Sequence, residues 1–185
     1  MKTLMAFTVA CTLLIPTAAR ADWTVSPFAS FNAGGDAPRT SPATGVTAGW
    51  MGNRIGGEFD LGYSPEFFEQ NGFVTNRRVI TMMGNVVYGV PWGRTEAVTP
   101  YVSGGAGILK TTLTEAGGLF TLDRNKLGMN VGGGVTGWAN KNVGIRGDVR
   151  YFRGLRKQDA DANDFGLDLS TIHFWRASIG LTARF

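Results

Sequence analysis

Hydrophobic and polar residues alternate with a period of two along most of the chain after residue 21. The clearest stretch is the C-terminal one, where Trp175, Ile179, Leu181 and Phe185 fall on one face and polar or small residues such as Arg184 fall on the other. Strict alternation of this kind indicates β-strands with one apolar face. Beyond the N-terminus no apolar run reaches 18 residues, which excludes a bundle of membrane-spanning helices. The sequence therefore predicts an all-β protein.

Turn-rich segments divide this pattern into eight strands. The predicted strands are residues 23–31, 44–51, 54–64, 77–90, 100–112, 125–138, 143–152 and 169–185. The connections alternate in length: those at 52–53, 91–99 and 139–142 are short or moderate, and those at 32–43, 65–76, 113–124 and 153–168 are long. Short turns at one end and long loops at the other are typical of outer-membrane barrels, and an even strand number puts both termini in the periplasm. We predict an eight-stranded antiparallel transmembrane up-and-down β-barrel.

The first 21 residues have the features of a secretory leader. Lys2 provides a positive start, an apolar stretch follows, and a small-residue cleavage pattern ends at Ala21. We expect a signal peptide over residues 1–21 and an outer-membrane β-barrel domain over residues 22–185. Cys11 is the only cysteine and lies in the leader, so the mature chain is expected to have no disulfide and no thiol ligand.

Composition narrows the function classes further. The chain is 43% hydrophobic and 17% charged, which argues against disorder. Removal of Lys2 and Arg20 with the leader leaves 16 basic against 14 acidic residues, so the net charge falls from +4 to +2. This balance gives no support to a nucleic-acid partner. The 27 glycines lack a collagen period and fit a narrow, strongly coiled barrel, in which glycine relieves crowding.

A soluble eight-stranded barrel of the lipocalin kind is the structural alternative, because its strands alternate as well. The two classes differ in whether the apolar face points inward or toward lipid. The chain ends in Ser178-x-Gly180-x-x-Ala183-x-Phe185, which resembles the signal that the barrel-insertion machinery recognises in bacterial outer-membrane proteins. Together with the leader, this ending favours a membrane barrel.

Three further segments carry a family resemblance. They are residues 101–107 (YVSGGAG), 132–134 (GGG) and 142–151 (NVGIRGDVRY). Over the whole mature chain the sequence resembles the small outer-membrane β-barrel domains of the OmpA/OmpX-like type. The resemblance implies the fold and the outer-membrane location but specifies no ligand. No peptidoglycan-binding domain is expected after the last strand.

Charged residues occupy the polar face of three predicted strands. They are Glu58 and Asp60 on the third strand, Arg146, Asp148 and Arg150 on the seventh, and Arg176 on the eighth. The interior of an eight-stranded barrel is just wide enough for side chains to fill, and buried charges must be paired. We expect a salt-bridged plug in the lumen. The alternative is a gate whose ion pairs exchange partners and pass small ions.

The sequence offers little for catalysis or metal binding. His173, the sole histidine, lies near Ser170 and Asp168 in the sequence, and a lipid-A-modifying enzyme would need a histidine with a serine and a carboxylate. We instead interpret His173 as a residue of the aromatic girdle at the membrane interface. Residues 159–164 alternate oxygen ligands as a calcium loop does but lack its glycine and its final glutamate. We expect no enzyme, no cofactor and no metal.

Basic residues gather at the predicted outer ends of the strands. A collar facing lipopolysaccharide phosphates is expected from Arg77, Arg78, Lys110, Arg153, Arg156 and Lys157, with Arg39, Arg124 and Lys126 nearby. The predicted partners are outer-membrane lipid, lipopolysaccharide and the insertion machinery, and the protein is expected to be a monomer. Three functions stay open: a structural or surface-interaction barrel, which we favour, a narrow ion channel, and a lipid-A-modifying enzyme.

Overall fold

Eight antiparallel strands close into a single barrel in the computed structural model. The model describes residues 22–35, 37–65, 67, 74–91, 97–115, 121–155 and 172–185. The strands are β1 (Asp22–Gly34), β2 (Ala37–Met51), β3 (Ile55–Ser64), β4 (Val74–Gly89), β5 (Val98–Glu115), β6 (Thr121–Trp138), β7 (Val143–Gly154) and β8 (His173–Arg184). No helix among these residues is long and apolar enough to span a membrane.

Each strand pairs with its neighbour in the chain, and β1 pairs with β8 to close the ladder. The closing register sets Thr24 opposite Arg184 and Phe28 opposite Gly180. Asp22, the first described residue, and the C-terminal Phe185 therefore lie at the same end as the β2–β3 and β6–β7 connections, which we call the turn end. The opposite end, where β7 stops at Gly154 and β8 starts at His173, is the loop end.

The apolar face of the strands points outward. Val86, Val131 and Ile179 are each 60% or more exposed, and Val25 and Phe59 on other strands are exposed as well. A water-soluble barrel would bury these side chains, whereas lipid solvates them. The outward apolar face confirms the membrane barrel and excludes the lipocalin-type alternative.

Aromatic side chains mark both ends of this outward face. At the turn end Trp23 and Trp50 contact each other at a centroid distance of 5.9 Å, and at the loop end Tyr151 and Trp175 do so at 5.1 Å. Each pair is cross-strand, on β1–β2 and β7–β8 respectively. Such belts are the expected anchors at the two membrane interfaces.

The first long connection was predicted wrongly. Residues 32–43 were expected to form a loop, but β1 continues to Gly34 and β2 begins at Ala37. Gly34 and Gly35 have φ of 72° and 62°, so the reversal is made where glycine tolerates it. Pro42 is accommodated because the β2–β3 ladder starts only at Thr44, so no backbone hydrogen bond to β3 is lost there.

Other strands are also longer than predicted at the loop end. β4 begins at Val74, β5 runs to Glu115 and β6 begins at Thr121, so the connections predicted at 65–76 and 113–124 are shorter. The eighth strand is shorter, beginning at His173 rather than at residue 169. Thr-rich and Asn-rich segments resemble loops in sequence, but pairing with a neighbouring strand satisfies their backbone groups and extends the sheet.

Candidate functional site

The six predicted lumen charges lie together inside the barrel. Even positions on β3, β7 and β8 point inward, and this parity brings the carboxylates of one wall toward the guanidiniums of the other. Asp60 and Arg150 are fully buried, and Arg146, the most exposed, keeps 11% of its side-chain surface. We call the set of Glu58, Asp60, Arg146, Asp148, Arg150 and Arg176 the lumen network.

Arg150 is the centre of this network. Its Nη2 donates to Glu58 Oε1 at 2.7 Å and to Asp148 Oδ2 at 3.1 Å, and its Nη1 lies 3.7 Å from Asp60 Oδ2. One guanidinium thus contacts all three carboxylates. Such charge-assisted bonds are strong in a low-dielectric interior.

Arg146 holds the turn-end side of the network. Its Nη1 lies 2.5 Å from Glu58 Oε2, its Nε donates to Tyr101 Oη at 2.7 Å, and the guanidinium stacks 4.4 Å from the Tyr101 ring centre. The Tyr101 hydroxyl in turn donates to Asp148 Oδ2 at 2.9 Å. Tyr101 was not predicted as part of the site, although its odd position on β5 has the same parity as the inward-facing Ser103.

Arg176 holds the loop-end side of the network. Its Nη2 donates to Asp60 Oδ2 at 2.5 Å and its Nη1 donates to Thr81 Oγ1 at 3.3 Å. The guanidinium also lies between two rings, 4.9 Å from the Phe28 centroid and 4.6 Å from the Phe152 centroid. Three carboxylates and three guanidiniums balance within the network, so it carries no net charge.

Inward-facing glycines make room for these large side chains. A Cβ on Gly132 would lie 2.7 Å from Arg150 Cγ, and one on Gly62 would lie 2.6 Å from Arg176 Nη1. Both distances are shorter than any normal carbon contact. A Cβ on Gly132 would also clash with the backbone oxygen of Val149. Glycine at these positions therefore relieves crowding by buried arginines and by neighbouring backbone, which agrees with the role that the sequence suggested.

An apolar cluster fills the lumen at the loop end. The Phe152 and Phe174 rings stack at 5.0 Å with an interplanar angle of 6°, and Phe67, from the β3–β4 connection, meets Phe174 edge-on at 4.8 Å. We call it the loop-end cluster; its members are Ala37, Phe67, Val79, Met83, Leu109, Phe152, Ile172 and Phe174, all buried. This cluster was not predicted from the sequence, although Phe152 and Phe174 have the same parity as Arg150 and Arg176.

A cavity of about 640 Å³ occupies the turn end of the lumen. We call it the vestibule. Its floor includes Glu58, Tyr101 and Arg146, and its rim includes Asp22 and Arg184. Arg184 Nη1 lies 3.5 Å from Asp22 Oδ2 at this rim. The lumen is thus a cavity at one end, an ion-pair network in the middle and an apolar seal at the other.

The basic residues of the predicted collar are only partly described. Arg78 and Arg153 are exposed at the loop end, and Lys110 is half-buried there. Lys110 pairs across the sheet with Ile80 and Arg78 with Thr112, so Arg78 and Lys110 are diagonal neighbours on the outward face. Of the other collar residues, Arg77 lies in β4, and Arg156 and Lys157 lie outside the described residues.

The one histidine is at the loop end of β8. His173 pairs across the sheet with Arg153, and its ring lies 6.3 Å from that of Tyr151, within the aromatic belt. Asp168, Ser170 and the acidic segment 159–164 lie outside the described residues. In the part of the chain that is described, no group of three or more His, Cys, Asp or Glu side chains is arranged to hold a metal.

The residues of the predicted C-terminal signal lie on both faces of β8. Ser178 Oγ donates to Asp148 Oδ1 at 2.8 Å inside the barrel, and Gly180 leaves room for Phe28. Ala183 lies opposite both Val25 and Val143. Phe185 is 76% exposed at the turn end, while its backbone N–H donates to Trp23 O at 2.9 Å.

Comparison with known proteins identifies the architecture. A family model described as outer membrane protein beta-barrel domain matches residues 7–174. The fold is similar to Neisserial surface protein A (TM-score 0.63, 12% identity, 88% of this chain and 95% of that chain). It is also similar to the N-terminal β-barrel domain of OprF from Pseudomonas aeruginosa (TM-score 0.57, 15% identity, 90% and 100%) and to Ail of Yersinia pestis (TM-score 0.55, 17% identity, 90% and 99%). No curated protein matches by sequence.

Proposed function

The chain belongs to the family of outer membrane protein β-barrel domains and resides in the outer membrane, and from this premise we propose a structural or surface-interaction role without catalysis. The turn end would face the periplasm and the loop end the outside. A closed ladder leaves no sheet edge for a second copy, which supports a monomer.

The observation that carries this proposal is the filled lumen. The loop-end cluster and the lumen network occupy the interior from the loop end to the vestibule, so the barrel is built as a solid support rather than as a wide pore. A filled barrel with two longer outer connections, between β3 and β4 and between β7 and β8, is typical of proteins that present loops on a rigid scaffold. The function would then lie on the outer face and in the connections.

A collar for lipopolysaccharide phosphates is the surface interaction that we favour. Arg78 and Lys110 lie side by side on the outward face of β4–β5, and Arg153 lies on β7. Guanidinium and ammonium groups near the headgroup level attract anionic lipid. A solved structure of Ail contains the heparin analogue sucrose octasulfate, which provides a practical polyanionic probe.

The test combines a deletion strain with a charge variant. Loss of the gene should sensitise cells to detergent and to large antibiotics, and wild-type protein should restore resistance. A variant with Arg78, Lys110 and Arg153 changed to Gln should restore it incompletely and should bind lipopolysaccharide and sucrose octasulfate more weakly. Lys141→Gln, at the exposed turn end, is the matched control. Full rescue and unchanged binding by the triple variant would contradict the collar.

The absence of catalysis is tested separately. His173 lies in the aromatic belt, where a role as a membrane anchor accounts for its position. His173→Ala should therefore leave the mass spectrum of lipid A unchanged. Loss of an acyl-chain modification in that variant, but not in Tyr151→Phe, would show that the protein is an enzyme.

A further inference from the structure

The vestibule has the properties of a ligand site that the surface role does not use. We propose that it binds a small, uncharged, hydroxyl-rich molecule of the size of a mono- or disaccharide. The site is separate from the collar, which lies at the opposite end of the barrel.

The vestibule has the size and enclosure of a small-molecule site. A volume of about 640 Å³ falls within the range of about 300–1,000 Å³ that is typical of small-molecule sites. The floor is closed, because behind Arg146 lie the fully buried Arg150 and Asp60 and then the loop-end cluster. As far as the described residues show, the vestibule therefore opens toward the turn end and is closed toward the loop end.

The charged residues of the vestibule favour a neutral ligand. Among the residues that the structure describes, the charged ones that line the vestibule are Asp22, Glu58, Arg146 and Arg184, two of each sign. They are paired with one another, Glu58 with Arg146 and Asp22 with Arg184. These paired charges of balanced sign give a charged ligand no net attraction, whereas a neutral ligand can hydrogen-bond to both partners of an intact pair.

Hydroxyl groups complete the wall. Thr24, Thr99, Thr136 and Thr182 all line the vestibule, and Thr99 lies directly opposite Thr136 across β5 and β6. Thr136 in turn lies opposite Arg146 on β7, so two hydroxyls and a guanidinium form one cross-strand row. A row of hydroxyls beside a fixed guanidinium donor suits a polyol, because every ligand hydroxyl can both donate and accept.

The side chains at the rim of the vestibule are held in position before a ligand binds. The Arg184 guanidinium stacks 4.3 Å from the Trp138 ring centre, and its Nε donates to Lys141 O at 2.8 Å. Such restraint lowers the entropy that binding would cost. It also makes Trp138 a reporter, because its indole lines the same cavity.

The experiment is an NMR titration of the mature barrel in a detergent whose headgroup is not a sugar. Maltose is the probe, and the readouts are the Trp138 indole N–H and the amides of Thr99 and Thr136. We expect saturable shifts with a dissociation constant on the order of millimolar. The indole of Trp175, on the lipid face at the opposite end, serves as the internal reference and should not move.

Two variants and two counter-probes decide the result. Thr136→Leu should weaken binding about tenfold or more, and the near-isosteric double variant Thr99→Val and Thr136→Val should weaken it without disturbing the fold. Val135→Leu, the adjacent lipid-facing position, should bind as wild type. The proposal is overturned if maltose causes no saturable shift, if Trp175 moves as much as Trp138, or if the threonine variants bind as tightly as wild type. It is equally overturned if acetate or glycine betaine saturates the site and maltose does not.

Discussion

The buried Arg150 shows that the stability of the barrel interior depends on the pairing of charges. Arg150 has no exposed surface and contacts Glu58, Asp148 and Asp60. Removing a charge from such a site leaves the others without compensation, which costs more free energy than the pair contributed. Stability effects at the residue scale should therefore be strongly non-additive.

The non-additivity of stability effects can be measured at the Asp60–Arg176 pair. We expect Asp60→Asn and Arg176→Met each to lower the free energy of unfolding by about 3–5 kcal/mol, and the double variant to lower it by less than the sum. Reversible urea unfolding in lipid vesicles gives the coupling energy. Asp22–Arg184 at the rim is the matched control; because Asp22 is half exposed, its coupling should be about 1 kcal/mol or less. Additive effects at Asp60 and Arg176 would contradict the pairing.

Glycines on opposite faces of the wall should respond differently to the same substitution. Gly132→Ala places a Cβ against Arg150 and should destabilise the barrel by about 1–3 kcal/mol. Gly147→Ala faces outward, where the nearest atom to its Cβ is 3.9 Å away, and should be neutral or slightly stabilising. Thermal unfolding in detergent compares the two. Equal effects would mean that crowding in the lumen does not determine where glycine is needed.

At the scale of the strands, the lumen network and the loop-end cluster lie at different heights along the barrel axis. The lumen network joins β3 to β7 and β8 at mid-height, and the loop-end cluster closes the lumen above it. The vestibule leaves the turn end open. Ion passage would therefore have to cross the apolar cluster, which dewets when narrow.

Conductance in planar bilayers tests where the barrier lies. We expect the wild-type barrel to be closed, Phe152→Ala combined with Phe174→Ala to conduct, and Glu58→Gln combined with Arg150→Met to remain closed. Ile179→Ala on the lipid face controls for general loosening of the wall. If the charge variant conducts and the phenylalanine variant does not, the ion pairs are the gate, as the channel interpretation of the sequence requires.

The last residue contributes to the β1–β8 seam and to the predicted insertion signal through different atoms. The Phe185 backbone N–H bonds to Trp23 O, while its side chain is exposed. Phe185→Ala should therefore fold normally into detergent in vitro but reach the outer membrane at sharply reduced levels in cells. Gel mobility and membrane fractionation measure the two outcomes, with Leu181→Ala on the same face as control. Normal cellular levels for Phe185→Ala would remove the terminal aromatic from the signal.

The whole molecule should behave as a closed, processed barrel. We predict that the protein recovered from outer membranes begins at Asp22 and migrates faster before boiling than after, because a closed ladder resists detergent until it is heated. Intact mass and paired gel lanes measure both properties. The Asp60→Asn and Arg176→Met variants should lose the fast-migrating form at lower temperature. An N-terminus at Met1 in purified membranes would refute the predicted cleavage.

Much of this architecture is contained in local sequence. A period of two assigns every side chain of a strand to one of two faces, so parity predicts the strands and puts all six lumen charges on the polar face. That this face points inward was predicted from the C-terminal ending and the leader pattern, and the exposed apolar face confirms it. The C-terminal aromatic and the leader are likewise local patterns. The predicted strand ends were less accurate, as at residues 32–43, because hydrogen bonding to the neighbouring strand decides how far a strand extends.

Tertiary structure alone decided which residues meet. Parity puts Asp60 and Arg150 inside, but the stagger of the closed ladder determines that Asp60 bonds to Arg176 and that Arg150 bonds to Glu58. The same stagger brings Tyr101 to Arg146, stacks Phe152 on Phe174 and leaves the vestibule at one end. A strand's own sequence carries no information on its height relative to a strand across the lumen, and that height is set when the barrel closes.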